Sequence, residues 1–449
     1  MRSTFLASLL LAAPLVLASG AHGQPSAGGV FPYPYERVDL DNGLRAYLIR
    51  AGAPGQVAYV TIVRTGSRDE VEAGKTGFAH FFEHVMFRGT ARHPSYDKVA
   101  EGMGASFNAT TGNDRTVYYL VAASEHLSQI VDLEADRFQR LSYEESAFRT
   151  EAGAVLGEYQ NNAYSPFFVL DRVMRETAFE EHTYRHQTIG FEADVRAMPE
   201  GYAHSLDFYR RHYRPENTVV VLVGDFDLAG ARRLIEEHYG GWERGYQSPQ
   251  IPPEPPQRAS RERTVRYPGR TLPIVSLNFK APAWSATDRL AVATEVLGAV
   301  AFGPNSDLYR RLVLQEQRLQ FLAPSFDLAR DPSVVTVAAM VNDPADLEPM
   351  RAELLAEVRR LREGPVDAGQ LEATKSNMKY SFLMGLETAQ GVAFSLSQPV
   401  ISTGGIEAIE DWFETLAAVT ADDLREAARR YLDENGLTAV TLIEAGGAS

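Results

Sequence analysis

The sequence predicts an α+β fold of two homologous domains, each a mainly antiparallel sheet with helices packed on one face, that face each other across a cleft. Three observations lead to this prediction. Strand-like apolar runs occur together with longer amphipathic patterns. A Pro-rich stretch at residues 248–260 divides the chain near its middle, and the same order of features recurs on both sides of that stretch.

The N-terminus has the features of a secretory signal peptide. A single Arg precedes an apolar run at residues 5–17, and Ala21-His22-Gly23 supplies small residues around a cleavage site. The apolar run is too short to span a bilayer. We therefore predict that residues 1–23 are a cleaved signal peptide and that the mature protein is periplasmic.

Composition narrows the functional classes that remain. The 449 residues are 45% hydrophobic and 23% charged, which is enough for more than one packed core. The chain has no Cys, so disulfides and thiolate ligands are excluded and any metal must be held by His and carboxylates. A net charge of −15 without a basic stripe argues against a nucleic-acid partner. Beyond the signal peptide, no stretch is long and uncharged enough for membrane insertion.

The predicted strands recur in the two halves of the chain. A β-rich run at residues 57–64 corresponds to one at 274–279, and each precedes an apolar helical pattern. A run at residues 218–223 corresponds to one at 437–443, and the residues before these two runs match at a constant offset. We therefore interpret the chain as a duplication of one structural unit.

The predicted helices complete each unit and set its boundaries. Amphipathic patterns at residues 126–140 and 347–362 predict long helices, one in each half. We assign a first domain to residues 32–245, a Pro-rich linker to 246–262 and a second domain to 263–449. Because substrates tend to bind where domains meet, the cleft between the halves is the expected binding region.

An inverted His-x-x-Glu-His motif lies on the apolar helical pattern of the first half. Residues 78–87 predict a buried helix with Thr76 as its cap. His80 and His84 are one turn apart on that helix and face the same way, which is the spacing that lets two imidazoles bind one zinc ion. Glu83 lies beside them and is close enough to act as a general base toward water at the metal.

A catalytic zinc ion commonly has three protein ligands, so the motif predicts one more. Glu151 and Glu158 lie seven residues apart on the next helical segment and share one of its faces. Their spacing does not rank one above the other. Taken singly, either Glu is also compatible with a solvated helix face.

The second half carries the same scaffold without these polar residues. At the positions equivalent to the two His it has Val292 and Val296, and at those equivalent to the two Glu it has Thr374 and Ser381. Glu295 is retained there alone, and we interpret it as structural. Polar residues that cluster in only one copy of a duplicated unit indicate a functional site.

A second His pair competes with the motif. His182 and His186 are also four residues apart, but their segment reads as an irregular surface stretch without a suitably placed base. We therefore do not predict a metal site at this pair.

The residues around the motif resemble one family closely. Residues 77–90 read GFAHFFEHVMFRGT, which is similar to the signature of the insulinase/pitrilysin metallopeptidases, a family of inverzincins. Within this family the chain resembles the two-domain group that includes mitochondrial processing peptidase, and the likeness covers nearly the whole mature chain. The resemblance implies a processing-peptidase-like metallohydrolase fold with Zn²⁺ as cofactor.

The resemblance also implies a role for each site residue. Carried over from the family motif, His80, His84 and Glu158 are the zinc ligands. Glu83 is the general base, and Glu151 supports the site without ligating the metal.

Family members bind the substrate as an added strand on an exposed edge that carries an Asn-Ala pair. The segment that resembles this edge here includes Phe107, Asn108, Ala109 and Thr110, so we predict that these four residues bind substrate. Backbone pairing of this kind accepts any extended peptide and leaves selectivity to side-chain pockets.

The chain departs from the family at one functional position. Single-chain active members carry an Arg and, seven residues later, a Tyr in the second half, whereas the aligned positions here are Leu314 and Phe321. Arg311 or Arg318 would replace the family Arg only after a shift of register. Because an oxyanion donor contributes a few kcal/mol of transition-state stabilisation, we expect a partner subunit to supply the missing pair.

The sequence therefore predicts a zinc-dependent endopeptidase that hydrolyses peptides or unfolded polypeptides in a chamber between two homologous halves. It is expected to work as a homodimer, or as a heterodimer with a related subunit that carries the Arg/Tyr pair. The alternative is a non-catalytic peptide-binding or assembly subunit with the same fold.

Overall fold

The computed structural model describes residues 21–23 and 29–446, which form two β-sheets and the helices that cover them. Residues 1–20 of the predicted signal peptide lie outside the described residues. Its last three residues, Ala21–Gly23, form a short strand, β1, that pairs antiparallel with β2 (Tyr35–Asp39).

The first sheet has seven strands in the order β1-β2-β3-β7-β4-β6-β5. All neighbours are antiparallel except β3 and β7, which are parallel. The central strand β4 is made of β-branched, aromatic and small residues, and all but its first residue are buried. Besides β1 and β2, the first sheet contains β3 (Arg45–Ile49), β4 (Gln56–Val63), β5 (Ser106–Thr111), β6 (Thr116–Ala123) and β7 (Thr218–Gly224).

The second sheet has five strands in the order β8-β12-β9-β11-β10, again with one parallel pair, β8 and β12. This is the order β3-β7-β4-β6-β5 of the first sheet, so the repeat seen in the sequence is a repeat of topology. The fold class predicted from the sequence is confirmed. The strands of the second sheet are β8 (Arg261–Tyr267), β9 (Ile274–Ala281), β10 (Leu319–Phe326), β11 (Ser333–Val341) and β12 (Leu437–Glu444).

Eight helices lie in the described part of the first half of the chain. They are α1 (Phe78–Val85), α2 (Tyr96–Gly102), α3 (Leu127–Arg140), α4 (Glu145–Asn162), α5 (Pro166–Ala178), α6 (Glu192–Ala197), α7 (Tyr202–His212) and α8 (Leu228–Tyr239).

Eight helices also lie in the described part of the second half, and a π-helical turn, Arg310–Gln315, follows the shortest of them. They are α9 (Arg289–Phe302), α10 (Asp307–Tyr309), α11 (Leu347–Glu363), α12 (Ala368–Met384), α13 (Ala389–Ser395), α14 (Ser397–Thr403), α15 (Ala408–Ala418) and α16 (Ala421–Tyr431).

Each half has its own main core between one face of its sheet and its helices. In the first half the apolar faces of α1, α3 and α8 pack on the sheet, and Phe82, Phe138 and Ile235 are buried there. In the second half α9, α11 and α16 do the same, with Val296 and Leu354 buried between them. The burial of these helical stripes follows the periodicity that predicted the helices.

The other face of each sheet is covered by a helix from the opposite half. Helix α5 of the first half packs on β8 and β12, where Leu170 and Met174 join Ile274 and Val440 in one buried cluster. Helix α5 is part of the first half in sequence, but it packs on the sheet of the second half. It therefore connects the two halves.

The reciprocal contact is made by α13 and α14 of the second half. These helices place apolar side chains against Val60 and Val221 of the first sheet. The side chains are Val392 of α13, Val400 of α14 and Leu396 between the two helices. The two halves are thus joined by two buried apolar clusters. The domain boundaries assigned from the sequence stay predictions, although no helix or strand is formed between Tyr239 and Arg261.

Two cavities of about 400 and 280 Å³ lie in the cleft between the halves. They share Arg175 of α5 and Asp327, which follows β10. The larger cavity reaches the turn between β5 and β6.

In the part of the chain that the structure describes, no helix combines the length and apolar character needed to cross a membrane.

Candidate metal centre

The motif residues lie on α1, a short helix buried against the first sheet. Phe78, Phe81, Phe82 and Val85 are all buried on it, which fixes the orientation of the helix. The helix follows Gly77, whose φ of 93° lies in the left-handed region, and a Cβ at this position would come within 2.5 Å of the carbonyl oxygen of Ile189.

The cap of α1 differs from the prediction. Thr76 does not cap the helix: its hydroxyl donates to Asp194 at 2.7 Å and accepts from the backbone N–H of Phe191 at 2.8 Å. The buried Glu70 carboxylate instead accepts hydrogen bonds from the N–H groups of Gly77 and Ala79, at 2.8 and 2.6 Å. Burial raises the pKa of Glu70 to about 8, so its oxygens act at the helix N-terminus chiefly as acceptors for N–H groups that would otherwise be unpaired.

The two motif histidines converge on one carboxylate. Nε2 of His80 lies 3.6 Å from Oε1 of Glu158, and Nε2 of His84 lies 3.3 Å from Oε2 of Glu158. The ligand atoms of the three residues all lie within 4.8 Å of one another, and no other such group of three occurs among the described residues. Glu158 therefore occupies the position of a third ligand, which its spacing alone did not distinguish from that of Glu151.

Glu151 contacts the site from behind His84. Its Oε1 lies 3.2 Å from Nδ1 of His84, the ring nitrogen that points away from Glu158. Its Oε2 accepts hydrogen bonds from Arg88, with Nε at 2.8 Å and Nη2 as a second donor. A carboxylate in this position fixes the orientation of a metal-binding imidazole. Arg88 lies beyond the C-terminal end of α1, in the turn that follows the helix, and its contact with Glu151 was not predicted from the sequence.

The charges of the site favour a bound cation. Hydrogen bonds with Glu151 and Glu158 raise the pKa of His84 to about 9, and those same contacts with His84 lower the pKa of both carboxyl groups. Burial is the main reason why the pKa of His80 is lowered. Two ionised carboxylates therefore surround the two imidazoles, and a metal ion that binds there would displace the proton held by His84.

The geometry of the donor set fits zinc. Tetrahedral ligands with zinc–ligand bonds of about 2.0–2.1 Å are about 3.3 Å apart, close to the two separations between imidazole nitrogens and Glu158 oxygens. The donors are nitrogen and oxygen, as in catalytic zinc sites with three protein ligands. The site is also open, because the side chains of His84 and Glu158 are 25% and 40% exposed.

The general-base candidate, Glu83, lies between the two histidines on α1 and is partly exposed. Its carboxylate is close enough to His80 and to Arg115 to influence the pKa of each. It forms no hydrogen bond within the described part of the chain, so its oxygens are available to solvent or substrate.

The predicted substrate strand, β5, lies at the edge of the first sheet and pairs only with β6 among the described strands. Phe107 packs its ring against those of Phe87 and Tyr96, while Asn108 is exposed and Ala109 is buried. Thr110 is partly buried. Because α1 packs against β5, the free backbone of this edge lies beside the metal centre.

The segment that departs from the family motif lies in the second half and contacts α5 of the first half. Leu314 is 60% exposed, and the ring of Phe321 packs on Phe167 at 6.0 Å. Arg311 forms ion pairs with Glu316 and Glu353, and Arg318 forms one with Asp346. Both arginines are thus engaged by acidic residues of the second half.

The equivalent positions of the second half have no ligand geometry. Val292 and Val296 are buried in its core, Thr374 is buried, and Ser381 is exposed. Glu295 accepts a hydrogen bond from the indole N–H of Trp412 at 3.3 Å, in line with the structural role expected for it.

The second His pair lies in the interior, so the prediction of a surface segment was wrong. His182 contacts Asp331 of the second half at 3.1 Å and accepts a hydrogen bond from the backbone N–H of Tyr184. His186 is also buried, with Nδ1 at 2.9 Å from the carbonyl oxygen of Gln187. The partner that buries His182 comes from the second half, which local sequence does not reveal.

Two family models match the chain. The first, described as Insulinase (Peptidase family M16), matches residues 49–191, which include the motif and both candidate Glu residues. The second, described as Peptidase M16 inactive domain, matches residues 202–378. Together they cover more than two-thirds of the chain and correspond to its two halves.

Curated relatives match along most of the chain. One is the zinc protease PqqE of Helicobacter pylori, which is 27% identical over 419 residues, covering 91% of this chain and 92% of the relative. Another is the mitochondrial cytochrome b-c1 complex subunit 1 of Bos taurus, which is 26% identical over 401 residues, with 87% and 82% covered.

Solved structures have the same fold. A protease from Helicobacter pylori superimposes with a TM-score of 0.83 at 26% identity, covering 91% of this chain and 99% of that one. The periplasmic protease PqqL of Escherichia coli superimposes with a TM-score of 0.76 at 19% identity. The match covers 91% of this chain but only 47% of PqqL, so PqqL is about twice as long.

Proposed function

Because this chain belongs to the insulinase family, peptidase family M16, we propose that it is a zinc-dependent endopeptidase that hydrolyses peptides or unfolded polypeptides. The observation that carries the proposal is the convergence of His80, His84 and Glu158, with Glu83 on the same helix. The name of the Helicobacter relative, a zinc protease, supports it.

Zn²⁺ is the cofactor of this family, and His80, His84 and Glu158 would hold it. Zinc in such a ligand set supplies Lewis-acid polarisation of the scissile carbonyl and makes an adjacent water molecule more acidic. Glu151 orients His84 through its hydrogen bond to Nδ1, and Arg88 in turn holds Glu151.

Glu83 moves the proton in the proposed reaction. Its carboxylate takes a proton from the water whose oxygen attacks the carbonyl carbon of the scissile bond. It then passes that proton to the leaving nitrogen, the C–N bond breaks, and the carboxylate is restored. Its exposure and lack of a hydrogen bond within the described residues suit both transfers.

The free edge of β5 would hold the substrate. An extended peptide that pairs with Phe107, Asn108, Ala109 and Thr110 would lie alongside α1 and its motif residues. Main-chain hydrogen bonds give such binding little dependence on sequence. The proposed substrate class is therefore any polypeptide that is extended at the cleaved bond.

An enclosed chamber would need a second chain. The two halves of this chain are joined through buried clusters, and its metal centre is open to the surface. A second chain packed over that surface would enclose it, and the double length of PqqL is in keeping with an assembly of two such units. We propose a homodimer, or a heterodimer with a related subunit.

The Arg/Tyr pair decides between these two assemblies. Arg311 and Arg318 are held by acidic residues, and the aligned Tyr position is Phe321. A heterodimer partner would supply an oxyanion donor that this chain lacks. The test is to assay the purified chain alone and after mixing with related subunits from the same organism. Full activity of the chain alone, with no gain on mixing, would contradict the heterodimer.

We also propose that the protein acts in the periplasm. The support for this is the sequence of residues 1–23, which has the order of regions found in a cleaved export signal. N-terminal sequencing of the mature protein from a periplasmic fraction would test it, and an intact residue 1 in the cytoplasmic fraction would refute it.

The rival function is a non-catalytic subunit with the same fold. The match to a cytochrome b-c1 complex subunit is the observation behind it, whereas the match to a zinc protease supports the peptidase. Two measurements on the purified protein separate the candidates. The peptidase should contain about one zinc ion per chain and should cleave a mixed peptide library in a chelator-sensitive manner. A protein without zinc, or one with zinc that binds peptides and leaves them intact, would support the rival.

A further inference from the structure

Arg115 stands in the turn between β5 and β6, directly after the proposed substrate strand. Its side chain is half-buried and packs over Gly112 in the same turn. Within the described part of the chain its guanidinium makes no hydrogen bond and no ion pair. A planar group with five donors is thus held in place without an acceptor.

An unpaired guanidinium is unexpected in this setting. Partial burial of a charge without a partner costs free energy, and the protein as a whole is acidic. The neighbouring Asp114 is already engaged, because it accepts from the hydroxyl of Tyr184 at 2.8 Å and from the backbone N–H of Arg330 at 2.9 Å. Burial lowers the pKa of Arg115, and Asp114 and Glu83 oppose that change.

Arg115 lines the larger cavity of the cleft, of about 400 Å³. The other cation on its wall, Arg175, is bound to Asp171 at 3.0 Å and to Asn113 at 3.3 Å. The cavity also contains Asp327, which accepts a hydrogen bond from Ser333 at 2.6 Å. Among the described residues of this wall, Arg115 is therefore the cation available to an incoming anion.

We propose that Arg115 binds a carboxylate of the substrate, so that the enzyme prefers peptides with a carboxylate close to the scissile bond. This inference rests on the proposed function, since it takes β5 as the substrate edge and Glu83 as the general base. A peptide paired with β5 passes the turn that carries Arg115, and a carboxylate suits the fork of a guanidinium. Arg115 is thus a specificity-determining residue.

The test uses end-blocked peptides that differ only by Glu, Gln or Lys at each position beside the cleaved bond, and a further pair with a free or amidated C-terminus. The end-blocked peptides report a side-chain carboxylate and the further pair a terminal one. The wild-type protein should prefer one carboxylate peptide by about tenfold in kcat/KM. Arg115→Gln should reduce that ratio to about one, and Arg115→Glu should shift the preference toward Lys peptides.

Arg50→Gln serves as the matched control, because it removes the same charge from an exposed position beyond β3. Its carboxylate preference should equal that of the wild type. The same ratios should appear in peptide affinity when Glu83→Gln protein and the double variant with Arg115→Gln are compared by fluorescence anisotropy. This readout does not need turnover.

The outcomes separate this inference from the function on which it rests. A wild-type protein that neither cleaves nor binds any of the peptides contradicts the proposed function. A wild-type protein that treats carboxylate and amide peptides alike, or an Arg115→Gln protein that keeps the preference, contradicts only the role of Arg115. An equal loss on all peptides would mean that Arg115 has a structural role and would also overturn the inference.

Discussion

At the residue scale, the metal centre depends on a carboxylate that stands outside the group of three candidate ligands. Glu151 holds His84 by Nδ1 and is held in turn by Arg88, so the orientation of one imidazole is set by a chain of two contacts. Partners of this kind raise the basicity of the ligand and restrict its motion. Their loss should reduce metal affinity without removing a ligand.

We predict that Glu151→Gln lowers zinc affinity by about 10- to 100-fold while the protein stays folded. Competition with a chromogenic chelator measures the affinity, and far-UV circular dichroism measures the fold. Glu145→Gln is the control, because Glu145 is an exposed residue of the same helix that pairs with Arg149. Wild-type zinc affinity in Glu151→Gln would remove Glu151 from the account.

Glu295 gives a prediction for stability against pH. Burial raises its pKa to about 7, above the usual 4.5 of an unfolded chain. Its contribution is therefore fully present below about pH 4.5 and is lost as pH rises through 7, by about 2–3 kcal/mol between pH 5 and 8. Glu295→Gln should lack this loss and gain stability over the wild type as pH rises.

Urea unfolding of both proteins at pH 5 and pH 8 measures the difference, with the exposed Glu348→Gln as control. If the two proteins differed equally at both pH values, Glu295 would not titrate as described. The side-chain oxygen of Gln can still accept the hydrogen bond from Trp412, so Gln is a close replacement for the protonated acid.

Residue spacing predicted only part of the metal centre. Positions 80, 83 and 84 follow from one helical turn, and the resemblance to a family singled out Glu158. Spacing alone did not separate Glu158 from Glu151, because residues seven apart share a helix face. The distinction requires the angle between α1 and α4, which directs one carboxylate to both Nε2 atoms and the other to Nδ1 of His84.

At the scale of the element, α1 depends on a residue outside it. Glu70 is buried and satisfies the N–H groups of Gly77 and Ala79, which the expected cap Thr76 does not. The motif Glu and His residues are positioned by a helix that begins at this carboxylate. Local sequence favoured Thr76 because Thr is a common cap, whereas a cap seven residues upstream needs a folded loop to bring it back.

Glu70→Ala should therefore destabilise the protein by about 1–3 kcal/mol, because it leaves two buried N–H groups unpaired. Glu70→Gln keeps one acceptor oxygen and should fall between that variant and the wild type. Chemical denaturation measures both, with the exposed Glu101→Ala as control. A free energy of unfolding equal to that of the wild type in Glu70→Ala would show that α1 does not need this cap.

At the scale of the whole molecule, the repeat in the sequence predicted two like sheets, and the structure has them with the same strand order. The exchange of α5 for α13 and α14 between the halves was not predicted. These helices look amphipathic in sequence, and nothing local states which sheet they cover. Their contacts join residues more than 100 positions apart, so only the folded chain reveals them.

This exchange changes where a substrate chamber would form. Halves that share two buried clusters are poorly suited to open around a polypeptide, and the cavities between them are small. The open face of the metal centre and the edge of β5 are accessible instead. In the proposed function, a second chain over this face would provide the enclosure, and the oligomeric state would then be part of that function.

The most direct test of the account compares wild-type and Glu83→Gln protein, each assayed for zinc content and for cleavage of the same peptide library. A carboxamide cannot accept the proton of the attacking water, so cleavage should fall by about 10²- to 10⁴-fold while zinc stays at one ion per chain. The three candidate zinc ligands are untouched by the change. Undiminished cleavage by the zinc-loaded Glu83→Gln protein would contradict the assignment of this site.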